Sequence, residues 1–346
     1  QYFTAPADVA CLTGVSLVSD NNGLFYWTDE DAAGVQRIRG RATGTAVSYE
    51  VVTGVGIAER GAGAYFDTGA YQGVYAAVDE VRDGQVAGHF IVNGTSVQDD
   101  DVSSPSGTGH VGTAAAMVGF DTGAILGLIS NAFPTALGYY TLAAGASPTS
   151  MPTGDNAWCL PATACMTAVA DHYLVGGYSY DGILVTTYYA LNDAEAQAEQ
   201  SYSGTTLAQL LYNPVAGSAD LVYTINSAQD IAQRTWDGAD WSAATTIFDG
   251  TSTIEALTVT CIDGGEWGLA FIDAADNLKL LETSGGAWGA ASTLITGNID
   301  GAAGVGLAYG SGADAAVSYV KETPEINIQL GVRGGTPPVL WEQLAP

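Results

Sequence analysis

VSLVSDNNGLFYWTDEDAAGVQRIRGRATGTAVSYEVVTG, residues 15–54, contains one complete structural unit. Residues 15–19 alternate apolar and polar side chains and read as a strand, and Asp20-Asn21-Asn22-Gly23 is a turn. Residues 24–28, 35–41 and 47–52 follow as three further strands, and Thr53-Gly54 ends the set. Four short strands joined by tight turns form an antiparallel meander.

The rest of the chain repeats this plan. Phe66-Asp67-Thr68-Gly69-Ala70 recurs at Phe120-Asp121-Thr122-Gly123-Ala124, each time where a first strand turns into a second. Trp241-Ser242-Ala243-Ala244-Thr245 leads to Gly250, and Trp288-Gly289-Ala290-Ala291-Ser292 leads to Gly297; each Trp stands nine residues before its glycine. Closing glycines fall at Gly54, Gly107, Gly154, Gly204, Gly250 and Gly297, so with the end of the sequence they delimit seven units. A repeat of roughly fifty residues, built of four strands, is the signature of a propeller blade. The expected fold is therefore all-β: one seven-bladed β-propeller of four-stranded antiparallel blades over residues 1–346, with six blades plus an N-terminal cap as the nearest rival. The blades would span 11–54, 55–107, 108–154, 155–204, 205–250, 251–297 and 298–346, after an N-terminal segment, 1–10.

Within such a ring the innermost strands are crowded and must be small, which suits Thr113-Ala114-Ala115-Ala116 and residues 301–306. Each recurrent Trp would open a fourth strand and pack between blades. The last strand is expected over 338–344, so closure would lack a strand exchanged with the N-terminus, although residues 1–10 are free to lie against the last blade. Residues 191–200, LNDAEAQAEQ, allow either a short helix or a loop.

The W-S-A-A-T…D-G unit, preceded by Leu221-Val222-Tyr223, resembles repeats of secreted bacterial and phage-borne β-propellers, and more distantly those of sialidase-like propellers. The resemblance implies the fold and an extracellular setting, not an activity. The S-x-D-x-G-x-T-W box usual in sialidases does not occur here, and no catalytic residue carries over.

Charge narrows the partners. The formal net charge is −28, from 37 acidic and 9 basic residues. Phosphate binding needs clustered Lys and Arg, so nucleic acid is excluded as a natural partner and an anionic membrane surface is disfavoured. No apolar run is long enough to insert into a bilayer. An acidic, Lys-poor surface suits a salty or extracellular medium, and the sequence opens on Gln1, as a processed secreted chain would. Four cysteines allow two disulfides: Cys159 with Cys165 across Pro161 is the expected pair, leaving Cys11 and Cys261.

The candidate site residues are few. Glu59 and Glu255 lie on inner strands, where paired carboxylates serve glycoside hydrolysis if they converge; otherwise they line a solvated channel. Arg37, Arg39 and Arg41 alternate along one strand, with Arg60 nearby, and would grip an acidic glycan or pair with an acidic neighbour. Trp236 flanks the tip 237–240 and is a candidate platform for a sugar. Asp99, Asp100 and Asp101, like Asp29-Glu30-Asp31, are oxygen-rich segments expected in loops, where calcium is the one cofactor to consider. Asn93-Gly94-Thr95 is a glycosylation sequon at a turn. The functions compatible with this pattern are a non-catalytic surface propeller that binds glycans or proteins or assembles with its own copies, a glycosidase working from the axial funnel, or a purely structural fibre or appendage subunit.

Overall fold

A computed structural model of the chain describes strand backbone from Phe3 to Gln343. Side chains are described for residues 207–309 except 212, 214–215, 261, 263–264, 302–303 and 308, and for 317 and 319. The described strands form seven antiparallel sheets. Strand β1 (Phe3–Thr4) comes first in the chain but belongs to the last sheet. The first sheet holds β2 (Val9–Ala10), β3 (Val18–Ser19), β4 (Leu24–Asp31), β5 (Gln36–Ala42) and β6 (Tyr49–Val55). The second is β7 (Gly61–Phe66), β8 (Gly73–Val78), β9 (Gly88–Asn93) and β10 (Ser96–Asp101). The third is β11 (Gly112–Phe120), β12 (Gly123–Ser130), β13 (Leu137–Thr141) and β14 (Thr149–Ser150). The fourth is β15 (Cys165–Val169), β16 (His172–Tyr178), β17 (Leu184–Ala190) and β18 (Ala196–Tyr202).

The fifth sheet is β19 (Ala208–Asn213), β20 (Ser218–Ile225), β21 (Asp230–Trp236) and β22 (Thr245–Phe248). The sixth is β23 (Ile254–Ile262), β24 (Glu266–Asp273), β25 (Asn277–Ser284), β26 (Ala287–Trp288) and β27 (Ser292–Thr296). The seventh is β28 (Val305–Tyr309), β29 (Ala315–Lys321), β30 (Asn327–Arg333) and β31 (Trp341–Gln343), completed by β1. In most of the sheets, strands that follow one another in sequence pair with one another, as short turns demand; β2 and β3 both pair with β4, and β26 and β27 both pair with β25. Between sheets, the leading strands touch in succession: β3, β7, β11, β15, β19, β23 and β28, which returns to β3. That succession is a closed ring, with each sheet radiating from it.

Closure differs from the expectation. Phe3 pairs with Leu330 and Thr4 with Gln329, while Gly331 to Arg333 of the same strand pair with β31. The N-terminal segment therefore supplies a strand to the last sheet. Residues 196–200 are strand, not helix or loop, because they pair with β17 from Thr186 to Tyr189, whereas 191–195 lie outside the described residues. Among the described residues of 301–306, Val305 and Gly306 lie in a strand, while Gly301 sits in a tight turn and Gly304 has φ 89°.

Three apolar layers hold the described part together. Ala219, Leu221, Tyr223, Ala232 and Trp236 cover one face of the fifth sheet. Its other face meets the sixth through Val222, Ile231, Leu257, Val259, Leu269, Phe271 and Leu281. The sixth meets the seventh through Ala270, Ile272, Leu278, Leu280, Leu307, Tyr309 and Tyr319. Alternation along each central strand sends successive side chains into opposite layers, so both faces are buried. Each fully buried Leu, Ile or Phe contributes about 1.5–3 kcal/mol.

Polar groups register these layers. Trp288 packs on the layer between the fifth and sixth sheets and donates its indole N–H to Gln233 Oε1 of the fifth at 2.7 Å. In the same layer the Phe248 and Phe271 rings lie 4.8 Å apart, with the Lys279 ammonium 5.8 Å from each ring centroid and 2.7 Å from Asp273. Asn226, Ser227 and Ala228, between β20 and β21, take φ of 53°, 59° and 63°, a short left-handed turn. Its last carbonyl, on Ala228, accepts the Ile254 amide at 2.7 Å and so pins the start of the next sheet.

Candidate functional site

An open cleft of about 440 Å³ lies at the end of the sixth sheet, where the β23–β24 hairpin meets the end of β25 and the segment after β26. Ile262, Leu280 and Ala290 give it apolar surface, and Glu266, Glu282, Thr283, Ser284 and Ser292 give it oxygens. Its size falls in the roughly 300–1,000 Å³ range of small-molecule sites.

The local sequence explains the shape. Ser284 pairs with Ala287 across Gly285 and Gly286, whose φ values are 62° and 78°. Two positive φ angles in a two-residue hairpin loop favour glycine at both places. Glu266 opens β24 and reaches this turn: its carboxylate accepts the amides of Gly285 at 2.7 Å and Gly286 at 3.3 Å, and the Thr283 hydroxyl donates to it. Thr283 Oγ1 in turn accepts the Trp267 amide at 2.6 Å. The Thr283 hydrogen bond, first among the causes, holds the Glu266 carboxyl below the usual carboxylate range; partial burial opposes it, and the Gly285 and Gly286 amides add to the lowering.

Glu282 ties the cleft to the next sheet. The Tyr309 hydroxyl, on β28, donates to Glu282 Oε1 at 2.8 Å, and the Gly289 amide donates to the Glu282 carbonyl at 2.9 Å. Tyr309 approaches because residue 268 has no side chain: a Cβ there would lie 2.6 Å from the Tyr309 Cζ and closer to its hydroxyl and Cε2. The cleft wall is thus a pair of anchored glutamates on either side of a buried threonine.

Of the residues singled out in the sequence, those whose side chains are described lie elsewhere. Glu255 is exposed, at a bulge between the Ile254 and Ala256 pairs, with its carboxylate against Gly301. It is seven residues from Ile262 along β23, roughly 23 Å at strand rise, so the cleft does not include it. Glu59, Arg60, Cys11 and Cys159 lie outside the described residues; Cys165 begins β15 and Cys261 lies on β23. Arg37, Arg39 and Arg41 are on β5, where the register sets Asp29 opposite Arg37 and Glu50 opposite Arg39. Trp236 is 2 % exposed and its ring belongs to the core, so it offers no platform at the tip. Trp241 bridges Trp236 ahead of β22 and packs half-buried on the same layer.

The aspartates expected in loops are in strands. Asp99, Asp100 and Asp101 close β10, opposite Phe90, His89 and Gly88, and Asp29-Glu30-Asp31 closes β4. Among the described residues no group of three or more His, Cys, Asp or Glu side chains is placed to hold a metal ion. Asn93 ends β9 and pairs with Ser96, the first residue of β10; Gly94 and Thr95 lie outside the described residues.

Glu266, Glu282 and Thr283 were not singled out by sequence reasoning. Gly285-Gly286 marks a hairpin end, but nothing local shows that a carboxylate nineteen residues earlier would cap it.

No protein-family model matches the chain, and no curated protein matches it in sequence. Among solved structures it is similar to the BP39L lectin of Burkholderia pseudomallei, with 13% identity, a TM-score of 0.71, and coverage of 94% of this chain and 98% of that one. It is also similar to the fucose-recognising lectin of Aleuria aurantia, a six-bladed β-propeller, with 12% identity, a TM-score of 0.53, and coverage of 85% and 97%. A chain of the mitotic checkpoint complex matches with 10% identity, a TM-score of 0.60, and coverage of 95% and 92%. At such identities the likeness carries the fold alone: this chain is an all-β propeller built of antiparallel sheets.

Proposed function

We propose that the chain is a non-catalytic, carbohydrate-binding β-propeller of seven blades, acting outside the cell or on a virion surface. The seven sheets and the unbroken succession of leading strands from β3 round to β28 support the blade number. The observation that carries the binding reading is the cleft of the sixth sheet: a small-molecule-sized recess lined by both apolar side chains and several oxygens. Pyranosides present both a carbon–hydrogen face and a rim of hydroxyls, and such a recess meets both. The full-length likeness to a lectin propeller points the same way.

The cleft suits binding better than hydrolysis. A glycosidase acid needs a raised pKa, and Glu266 is moved in the opposite direction by donors that stabilise its ionised form. Those donors also fix the carboxylate in place, which favours recognition of a defined shape. The proposed partners are glycans on a cell surface, free or attached to protein. A glycan microarray, run with calcium and again with a chelator, tests the reading and any calcium dependence together. Dose-dependent binding to a defined set of glycans is expected, abolished by Ala290→Trp, which fills the cleft from an exposed lining position. Absence of binding in both conditions refutes the reading.

A further inference from the structure

The described residues contain three Asp-Gly pairs: Asp237-Gly238, Asp249-Gly250 and Asp300-Gly301. In such a pair the glycine nitrogen can reach the carboxyl just before it, because glycine puts no Cβ in the way. The fold treats the three differently. The Gly250 amide donates to Asp230 Oδ1 at 3.0 Å, and a Cβ on Gly250 would lie 2.5 Å from the Gln229 carbonyl oxygen, so its nitrogen and its backbone are both held. Gly301 is buried, with the Glu255 carboxylate packed against it. Gly238 is exposed at the tip between β21 and β22, with φ 104° and nothing within 4 Å of where its Cβ would stand. Its amide makes no hydrogen bond among the described residues, while the amides around it are all engaged. The Asp237 amide donates to the Asp240 carbonyl at 3.2 Å, those of Ala239 and Asp240 to Asp237 Oδ1 at 3.0 Å each, and that of Trp241 to Asp240 Oδ1 at 2.7 Å. The tip fixes one oxygen of the Asp237 carboxylate and leaves the adjoining nitrogen unbound.

We propose that Asp237 is a site of backbone modification, converted to isoaspartate through ring closure by the Gly238 nitrogen. That nitrogen bonds to Asp237 Cγ and the Cγ–Oδ2 bond breaks; the oxygen leaves as water, taking the amide proton and the carboxyl proton. Water then adds to one of the two carbonyls of the succinimide. Addition at Cγ restores aspartate, and addition at the main-chain carbonyl leaves isoaspartate, with the chain running through Cβ and Cγ. Negative charge builds on Oδ1 as Cγ is attacked, and the Ala239 and Asp240 amides already point at that oxygen. The same amides, Asp240 first, hold the carboxyl below its usual range, so its protonated, reactive form is scarce at neutral pH and the conversion belongs to ageing of the protein. At Asp249 the Gly250–Asp230 bond must open first, and a hydrogen bond to a charged group slows closure about tenfold or more. The product lengthens the backbone at the tip, beside Trp241, whose bridge to Trp236 closes the hairpin.

The test is prolonged incubation of the whole chain at neutral pH, folded and in denaturing urea, followed by isoaspartyl methyltransferase labelling and peptide mapping. In the folded protein isoaspartate is expected at 237 about tenfold faster than at 249, and faster than at 300. In urea the three rates converge, because the protection of 249 and 300 belongs to the fold. Asp237→Glu, with its fold checked by circular dichroism, lengthens the side chain beyond the favoured five-membered ring and removes the signal from the tip peptide. Equal or faster conversion at 249 or 300 in the folded protein overturns the assignment, and so does a ranking that persists unchanged in urea. A tip-peptide signal that survives in Asp237→Glu places the modification on another residue and overturns it too.

Discussion

Replacing Gly268 by Ala adds a single methyl group where the sixth and seventh sheets touch. The new Cβ would overlap the Tyr309 ring, its distance to Cζ being 2.6 Å. Tyr309 is 6 % exposed and packed among Ala270, Leu280 and Leu307, so the ring has little room to withdraw. Overpacking of this kind costs about 1–3 kcal/mol. Moving the ring also breaks the hydroxyl's 2.8 Å bond to Glu282, and a hydrogen bond to a carboxylate contributes about 1.5–3 kcal/mol. Gly268→Ala should therefore destabilise the protein by about 3–5 kcal/mol. The mechanism is tested by urea denaturation of Gly268→Ala, Tyr309→Phe and the double variant. Tyr309→Phe removes the hydrogen bond beforehand, so Gly268→Ala should cost at least about 1 kcal/mol less in that background. Costs that add to within about 0.5 kcal/mol would refute the argument, because they would mean that the methyl group leaves the Tyr309 bond intact.

Three further outcomes follow from the same region. Ser227 is exposed at φ 59°, a conformation costing a non-glycine residue about 1–2 kcal/mol, so Ser227→Gly should raise stability by about 0.5–1 kcal/mol in thermal unfolding; a lower melting temperature contradicts this. Trp288→Phe keeps an aromatic ring in the layer but loses the bond to Gln233, which should cost about 1 kcal/mol and disappear in a Gln233→Leu background. Asp273 is buried, which alone pushes its carboxyl up, but the Lys279 hydrogen bond, the Asn277 and Ala275 amides and the Lys279 charge outweigh burial and hold it below the usual range. A pKa depressed by folding stabilises the fold fully above the unfolded value, and the contribution is lost as pH falls through the folded value. Asp273→Asn should thus be less stable than the parent at neutral pH and converge with it in acid; convergence on the alkaline side contradicts the assignment.

The repeat was legible because turn chemistry is local. Residues 24–28 lie within β4, and the two FDTGA segments begin at the ends of β7 and β11, just before the turn to the next strand. Alternation and Asn-Gly or Asp-Thr-Gly turns act over a few residues, within reach of inspection. The errors share a different cause. Residues 196–200 have helix-forming composition, yet pairing with β17 overrides propensity. The triplet at Asp99 looked like a loop because it is polar, whereas outer strands carry polar residues readily. Trp236 was read by its place beside an acidic tip, while its ring turns inward. The cleft stayed hidden because its parts come from residues 262–292 and meet only after three strands have paired and Tyr309 has arrived from the next sheet.

The shared edge of β30 carries a kinetic consequence. Two residues of β1 join it to nearly the opposite end of the chain, Phe3 opposite Leu330. Closing a loop of that length costs on the order of 5 kcal/mol in its length-dependent entropy alone, and two residue pairs return little against it. Neighbouring sheets assemble through contacts close in sequence, so this seam gains its entropic help only once the ring is already curved into place. It is accordingly the last join to form and the first to part, opening without the sheets themselves coming undone. Amide exchange should find the β1–β30 pair among the least protected strand pairings and the β24–β25 pair, in the buried sixth sheet, among the most protected. The ring behaves as a bracelet with a weak clasp, and resistance to prolonged stress will track the clasp more closely than the core.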